Sequence, residues 1–203
     1  MSTDLELLDR WRAGDRKAGN ALFQRHFESI SRFFESKVDQ DVDELVQKTF
    51  FALVEHRDQF RKQASFRTYL FTIAKHQLYR HLRKRHHKKL DFGVTSMRDL
   101  QTSPTARMVR NQQKQLLVEA LRTLPLEQQM LIELHYWEGM SFDALAPMFE
   151  IAPTTVRTRL FRARRALRDR MAKLADNPRP ESESEVDLEA WARDLARSPV
   201  QKD

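Results

Sequence analysis

Apolar residues recur at intervals of three and four positions along most of the chain, with polar or charged residues between them. This spacing places apolar side chains on one face of an α-helix, whereas strict alternation would indicate a half-buried strand. Glycine and proline, which interrupt helices, number only 4 and 7 among 203 residues. The pattern therefore predicts an all-α protein.

Four amphipathic segments in the N-terminal half predict a first helical domain at residues 1–90. The first predicted helix ends at Gly14, and the others cover, in order, residues 17–37, 39–55 and 66–88. Thr3 or Ser2 can cap the first helix and Ser65 the fourth, because a hydroxyl accepts a hydrogen bond from a backbone N–H that lacks a helical partner. The apolar stripes predict that Phe27 and Val54 face the core.

A second helical domain is predicted at residues 108–175, after a flexible linker at 91–107 that lacks helical periodicity and contains Gly93 and Pro104. Its four predicted helices cover residues 108–123, 127–138, 142–150 and 154–173. The short third helix and its tight connection to the fourth predict a helix-turn-helix. The fold class is thus two small helical domains joined by a linker.

The formal net charge of +7 is unevenly distributed along the chain. Residues 176–203 contain eight acidic and four basic residues, and this composition predicts a largely disordered acidic extension. The rest of the chain is correspondingly more basic. A basic protein favours a polyanionic partner, which is either nucleic acid or an acidic membrane surface.

Composition argues against several classes of function. The absence of cysteine excludes disulfides, thiol catalysis and cysteine-ligated zinc. The acidic start of the chain is unlike a secretory signal, and no apolar run is long enough to span a bilayer, so a cytoplasmic protein is expected. The chain has no glycine-rich phosphate loop and no His-Glu-x-x-His pair. We therefore expect no enzyme, no cofactor, no metal and no small-molecule substrate.

Two predicted helices are unusually basic. Residues 157–173 contain eight basic side chains and one acid, Asp169, and arginine forms bidentate contacts with guanine and phosphate in the major groove. Residues 75–89 contain no acid, and Lys75, Tyr79 and Arg83 fall on one helical face. Cations beside an aromatic ring suit single-stranded DNA, where rings stack on unpaired bases. The alternative for both helices is a solvated basic face.

Four sequence blocks resemble, in order, the motifs of one bacterial family. They are residues 41–51 (DVDELVQKTFF), 64–75 (ASFRTYLFTIAK), 120–142 (ALRTLPLEQQMLIELHYWEGMSF) and 154–167 (TTVRTRLFRARRAL). They resemble the extracytoplasmic function (ECF) sigma factors of the sigma-70 family, over roughly residues 5–173. The resemblance implies that the protein binds core RNA polymerase and promoter DNA. It also implies that the first domain recognises and opens the −10 element and the second reads the −35 element.

The resemblance also implies site residues. The polymerase-binding positions are Asp41, Glu44, Gln47 and Lys48. A loop that captures a flipped −10 base contributes Phe60, Arg61, Lys62 and Ser65, and the adjoining −10 helix contributes Lys75, His76, Tyr79, Arg80 and Arg83. The −35 recognition positions are Arg157, Thr158, Arg159, Phe161, Arg162 and Arg165. Two alternatives stay open: the acidic residues at 41–44 can cap a helix, and Phe161 can pack into the core.

Five positions depart from the family pattern. Lys48 stands where glutamate is usual, His76 replaces asparagine, Tyr69 replaces tryptophan, Glu150 replaces a turn glycine and Pro147 lies inside a helix. Phosphorylation of Thr49, the neighbour of Lys48, would restore negative charge to the polymerase-facing surface. A Ser/Thr kinase, an anti-sigma factor or the acidic extension is therefore a candidate regulator.

Two other functions compete with the sigma factor. A helix-turn-helix regulator that does not replace a sigma subunit would use the second domain in the same way, but it leaves the first domain without a purpose. A nuclease would need carboxylates that converge on a metal ion. Asp41, Asp43 and Glu44 lie within one helical turn and do not converge, which argues against a nuclease.

Overall fold

The structure, a computed structural model, describes residues 2–87, 89–102 and 112–174, and the side chains at 112–114 are not described. In these ranges the regular structure is helical, which confirms the all-α prediction. The chain folds into two compact units, a first unit at Met1–Leu90 and a second unit at Asp91–Asp203. No helix in the described ranges has the length and apolar content needed to cross a membrane.

The first unit contains four helices, as predicted. They are α1 (Asp4–Arg12), α2 (Arg16–Glu35), α3 (Val42–His56) and α4 (Phe66–His86), and a 3₁₀ turn (Arg57–Gln59) follows α3. Thr3 and Glu6 form a reciprocal capping box at α1, and Ser65 accepts a hydrogen bond from the Thr68 N–H at α4. Asp15 caps α2 in the same way.

Apolar side chains from all four helices fill the core of the first unit. Phe34, Leu53 and Phe71 are fully buried there. The prediction that Phe27 and Val54 face the core is wrong, because these side chains are 52% and 41% exposed. Both helices carry more apolar residues than one buried face can hold, so the residues at the margin of each stripe meet solvent.

The second unit also contains four helices in its described part. They are α5 (Gln112–Arg122), α6 (Leu126–Ile132), α7 (Phe142–Phe149) and α8 (Pro153–Leu174). A π-helical turn, Glu133–Trp137, continues α6 close to the predicted helix end at residue 138, although its π geometry was not predicted. Three residues connect α7 to α8, and the first of them, Glu150, has left-handed φ and ψ of 56° and 40°. Pro153 opens α8, where its missing N–H costs no helical hydrogen bond.

Residues 91–102, the first part of the predicted linker, contain no helix and belong to the second unit, where they bond to α5 and α6. The Leu126 N–H donates to the Thr95 carbonyl at 3.0 Å, and the Arg98 N–H donates to the Arg122 carbonyl at 3.0 Å. Met97 is fully buried. The rest of the linker, the predicted helix start at 108 and the acidic extension at 176–203 lie outside the described residues.

Candidate nucleic-acid and polymerase interfaces

The predicted −35 residues lie together on the outer face of α8. All six, namely Arg157, Thr158, Arg159, Phe161, Arg162 and Arg165, are exposed. All except Arg159 fall within an arc of about 140° around the helix axis, given about 100° per residue. Arg159 lies to one side, where its Nη1 is 3.3 Å from Oε2 of Glu127. Phe161 is 65% exposed, so it faces solvent rather than the core.

The opposite face of α8 determines this orientation. Val156, Leu160, Ala163 and Leu167 recur every three or four residues and are at most 3% exposed. The Arg164 guanidinium lies 5.5 Å from the centre of the Tyr136 ring, so the arginine at the edge of the buried face packs on an aromatic. The four arginines of the predicted −35 set are thus directed outward. A helix of this kind, behind a tight turn, fits the major groove of duplex DNA.

The predicted −10 helix residues lie on α4 in two environments. Lys75 and Arg83 flank Tyr79, with Nζ and Cζ at 5.6 and 5.8 Å from the ring centre. His76, Arg80 and Arg83 are exposed, but Lys75 is only 7% exposed. The structure therefore brings the aromatic and its two cations together as predicted, and it buries most of the lysine stem.

The loop at residues 60–65 contains a second buried member of the predicted −10 set. Phe60 is 7% exposed and stacks on Tyr69 at 4.6 Å between ring centres. Arg61, Lys62 and Ser65 are exposed. Lys62 has φ of 58°, in the left-handed region. Phe60 thus anchors the loop in the core, and the exposed polar residues form its outer surface.

Three side chains outside the predicted set hold this loop in place. The Arg12 guanidinium in α1 donates to the backbone carbonyls of Arg57 and Phe60, the latter at 2.9 Å. Asp9 pairs with Nζ of Lys62 at 2.7 Å, and the Tyr69 hydroxyl donates to the His56 carbonyl at 3.1 Å. These partners are up to 53 residues apart in the chain, so periodicity gave no signal of them.

The predicted polymerase-binding residues lie on the exposed side of α3. Asp41 has a left-handed backbone, with φ of 64°, and makes no capping hydrogen bond. Glu44, Gln47 and Lys48 are exposed, and Lys48 forms an ion pair with Glu44 across one helical turn. This hydrogen bond from Lys48 holds the pKa of the Glu44 carboxyl below its usual range. The resulting surface is therefore less negative in character than its two carboxylates alone would make it.

An exposed aromatic adjoins these α3 residues. Phe51 is 63% exposed and lies beside a groove of about 1080 Å³ between α3 and α4. Lys48, Ile73 and His76 also line this groove. Phe51 was not predicted as a site residue, although it lies one turn beyond Lys48 on the same helix.

Thr49 is inaccessible in this structure. Its side chain is fully buried, and its hydroxyl donates to the Leu45 carbonyl at 2.8 Å. A kinase must reach the hydroxyl, and a buried phosphate would bring about two negative charges into the core. The folded first unit, as this structure has it, therefore gives no support to the hypothesis that phosphorylation of Thr49 restores surface charge.

Comparison with protein families gives two matches. The family described as Sigma-70 region 2 matches residues 23–88, and the family described as Sigma-70, region 4 matches residues 114–167. Together they cover α3, α4 and the helix-turn-helix, which carry the predicted site residues.

Similar proteins agree with these matches. The ECF RNA polymerase sigma-E factor of Escherichia coli (strain K12) is 28% identical over 183 residues, which cover 85% of this chain and 96% of that protein. Its namesake from Haemophilus influenzae is 26% identical over 185 residues, covering 85% and 97%.

Two solved structures share the fold. One is CnrH in complex with the cytosolic domain of CnrY, with a TM-score of 0.60, 24% identity and coverage of 84% of this chain and 95% of that chain. The other is the sigma factor RpoE in complex with the anti-sigma factor NepR from Bartonella quintana, with a TM-score of 0.58, 22% identity and coverage of 79% and 98%.

Proposed function

We propose that the two units of this chain, an RNA polymerase sigma factor of the ECF group of the sigma-70 family, have different tasks. The first unit binds core RNA polymerase and opens the −10 element. The second unit reads the −35 element as duplex DNA. The observation that carries the proposal is the presence of a separate exposed surface for each task, on α3, α4 and α8.

The −35 element is bound by the outer face of α8. Its arginines present forked donors to guanine edges and phosphates, and Phe161 offers an apolar surface to a thymine methyl group. The buried face of α8 and the turn at Glu150 hold the helix against the second unit. Because the contacts to phosphate are electrostatic, affinity falls steeply as salt rises.

The −10 element is bound by α4 and the loop at residues 60–65. Tyr79 lies between two cations, which is the arrangement that suits an unpaired base and its phosphates. The exposed side chains Arg61, Lys62 and Ser65 form the outer surface of the loop beside it. This surface captures a flipped base, while Phe60 stays in the core and sets the position of the loop.

Core polymerase is bound by the exposed side of α3, at Asp41, Glu44, Gln47 and Lys48. We place the protein in the cytoplasm, where its polymerase acts, and it works by binding rather than by catalysis. An anti-sigma factor controls it, as the complex of RpoE with NepR illustrates for a protein of the same fold. The competing helix-turn-helix regulator is not favoured, since the first unit matches sigma-70 region 2.

Transcription from purified components tests this function. The protein and bacterial core polymerase are first mixed and separated by gel filtration, and the complex is then supplied with fragments of the source genome. We expect a stable complex and transcripts that start at a defined set of promoters, with none from the core enzyme or the protein alone. Failure to form a complex with core polymerase at any salt concentration would contradict the sigma-factor assignment.

A further inference from the structure

We propose that Arg12 is a positioning residue for promoter opening: it holds the 3₁₀ turn (Arg57–Gln59) and the loop at residues 60–65 in the conformation that captures the flipped −10 base. This inference rests on the proposed function of that loop. It adds α1, which lies outside the matched region 2 at residues 23–88, to the parts of the protein that govern −10 recognition.

Arg12 supplies hydrogen-bond donors to two backbone carbonyls of this segment. The last carbonyls of a helix have no N–H from a following helical turn, so a side-chain donor can bind them. The Arg12 Nε donates to the Arg57 carbonyl at 3.1 Å, and Nη2 donates to the carbonyls of Arg57 and Phe60. One rigid guanidinium therefore joins the two ends of the turn, which a single ammonium group could not do in the same geometry.

The Arg12 side chain is also well placed to resist competition from water. It is 22% exposed, and Asp58 lies 3.7 Å from its Nε. Arg57 in turn lies over the Trp11 ring, with Cζ 5.1 Å from the ring centre. Trp11 is itself buried against Gly19 of α2, where a Cβ would come within 2.7 Å of the indole. The loop is thus fastened to the α1–α2 core rather than only to its chain neighbours.

A second tether from α1 reaches the outer part of the loop. Asp9 pairs with Nζ of Lys62 at 2.7 Å, and Lys62 adopts a left-handed backbone that a non-glycine residue rarely takes without support. Asp9 and Arg12 are three residues apart and so lie on one face of α1. Together they hold both the start and the middle of the loop, so the exposed polar residues keep one arrangement before DNA arrives.

Base-specific binding separates this role from general stabilisation. Holoenzyme is formed with wild type, Arg12→Ala, Arg12→Lys and the control Arg10→Ala, which loses an α1 ion pair to Asp15 that does not touch the loop. Each holoenzyme is titrated with the single-stranded −10 sequence of a mapped promoter. A series of oligonucleotides carries an abasic site at each position in turn, and core binding and thermal unfolding are measured alongside.

We expect an abasic site at the captured position to weaken wild-type binding about tenfold, which is within the usual contribution of a stacked base. Arg12→Ala should reduce that penalty to about twofold and leave the penalties at other positions unchanged. Arg12→Lys should give an intermediate penalty, and Arg10→Ala the wild-type pattern. Core binding should be the same for all four proteins.

Three results would overturn the inference in different ways. If wild type shows a position-specific penalty and Arg12→Ala shows the same penalty, the loop captures a base without help from Arg12, and only this inference fails. If wild type shows no penalty at any position, the loop does not capture a base, and the −10 part of the proposed function fails with it. A uniform loss of affinity at every position in Arg12→Ala would mean that Arg12 has a structural role alone.

Discussion

Glu150 illustrates how a single residue in this chain departs from the family pattern without changing the fold. It ends α7 with φ of 56°, and its N–H still donates to the Pro147 carbonyl at 3.4 Å. The left-handed conformation therefore forms with a glutamate, at a steric cost that glycine would not have. Pro147 lies inside α7, yet the helix is continuous over its eight residues.

Replacing Glu150 by glycine should therefore stabilise the second unit. We expect Glu150→Gly to raise its free energy of unfolding by about 1 kcal/mol, the cost of a left-handed conformation for a residue with a Cβ. Gly139 offers a matched control, because it has φ of 63° and a Cβ added there would meet no atom within 4 Å. Gly139→Ala should thus destabilise by a similar amount. Urea unfolding followed by circular dichroism measures both changes, and equal effects of the same sign would contradict the explanation.

For Thr49 we predict the opposite effect: an acidic replacement destabilises the first unit. Thr49→Asp places a carboxylate in the core of the first unit, and we expect a loss of at least about 3 kcal/mol, as for other unpaired buried charges. Thr49→Val should cost about 1 kcal/mol or less, because the Leu45 carbonyl keeps its helical hydrogen bond. Thermal unfolding compares the two variants. A Thr49→Asp protein of wild-type stability would show that the site can open and would revive phosphorylation as a regulator.

At the scale of helices, the sequence predicted the order and type of the elements because their apolar periodicity is strong. The caps at Thr3 and Ser65 were predictable as well, since both depend on residues adjacent in the chain. The environments of Phe60 and Lys75 were not, because burial depends on what packs against a face, and periodicity does not identify that partner. The tethers from Arg12 and Asp9 join residues about fifty positions apart and were missed for the same reason.

At the exposed Phe161 on α8, an effect on DNA binding can be measured without a large effect on stability. Because its side chain is 65% exposed, Phe161→Ala should change the free energy of unfolding by less than about 0.5 kcal/mol. Its proposed contact is a thymine methyl group, and burying one such group contributes about 0.8 kcal/mol. Deoxyuridine in place of thymine in the −35 duplex should therefore weaken wild-type holoenzyme roughly fourfold at one position.

Deoxyuridine in place of thymine at that position should not change the affinity of the Phe161→Ala holoenzyme for the duplex. Arg162→Ala gives the contrasting result, since loss of a phosphate contact lowers the slope of log affinity against log salt by about 0.9. Fluorescence anisotropy of labelled duplexes at several salt concentrations measures both quantities. A methyl effect that persists in Phe161→Ala would mean that another side chain reads the thymine.

At the scale of the whole molecule, the chain combines two strongly basic helices, which we propose bind DNA, with a surface of mixed charge on α3, which we propose binds polymerase. The proposed DNA-binding residues of α8 are four arginines, a threonine and a phenylalanine, with no acid among them. The proposed polymerase surface on α3 has two carboxylates and one ammonium group, and Lys48 neutralises Glu44 within it. If these assignments hold, we expect that affinity for DNA and affinity for polymerase depend on different charges and can be changed independently.

Lys48 is the residue through which that independence can be tested. Lys48→Glu removes the ion pair with Glu44 and restores the residue that the family usually has at this position. We expect about tenfold tighter binding to core polymerase at low salt, with a smaller gain at high salt, because exposed charges are screened.

The affinity of Lys48→Gln for core polymerase should fall between those of wild type and Lys48→Glu. Lys17→Glu on α2 makes the same change in net charge outside the proposed polymerase-binding residues and should have little effect. Competition between labelled and unlabelled proteins for a limiting amount of core polymerase measures the ratio of affinities. Equal or weaker binding by Lys48→Glu would show that Lys48 itself contacts an acidic group of the polymerase, which would reverse the charge preference proposed for this surface.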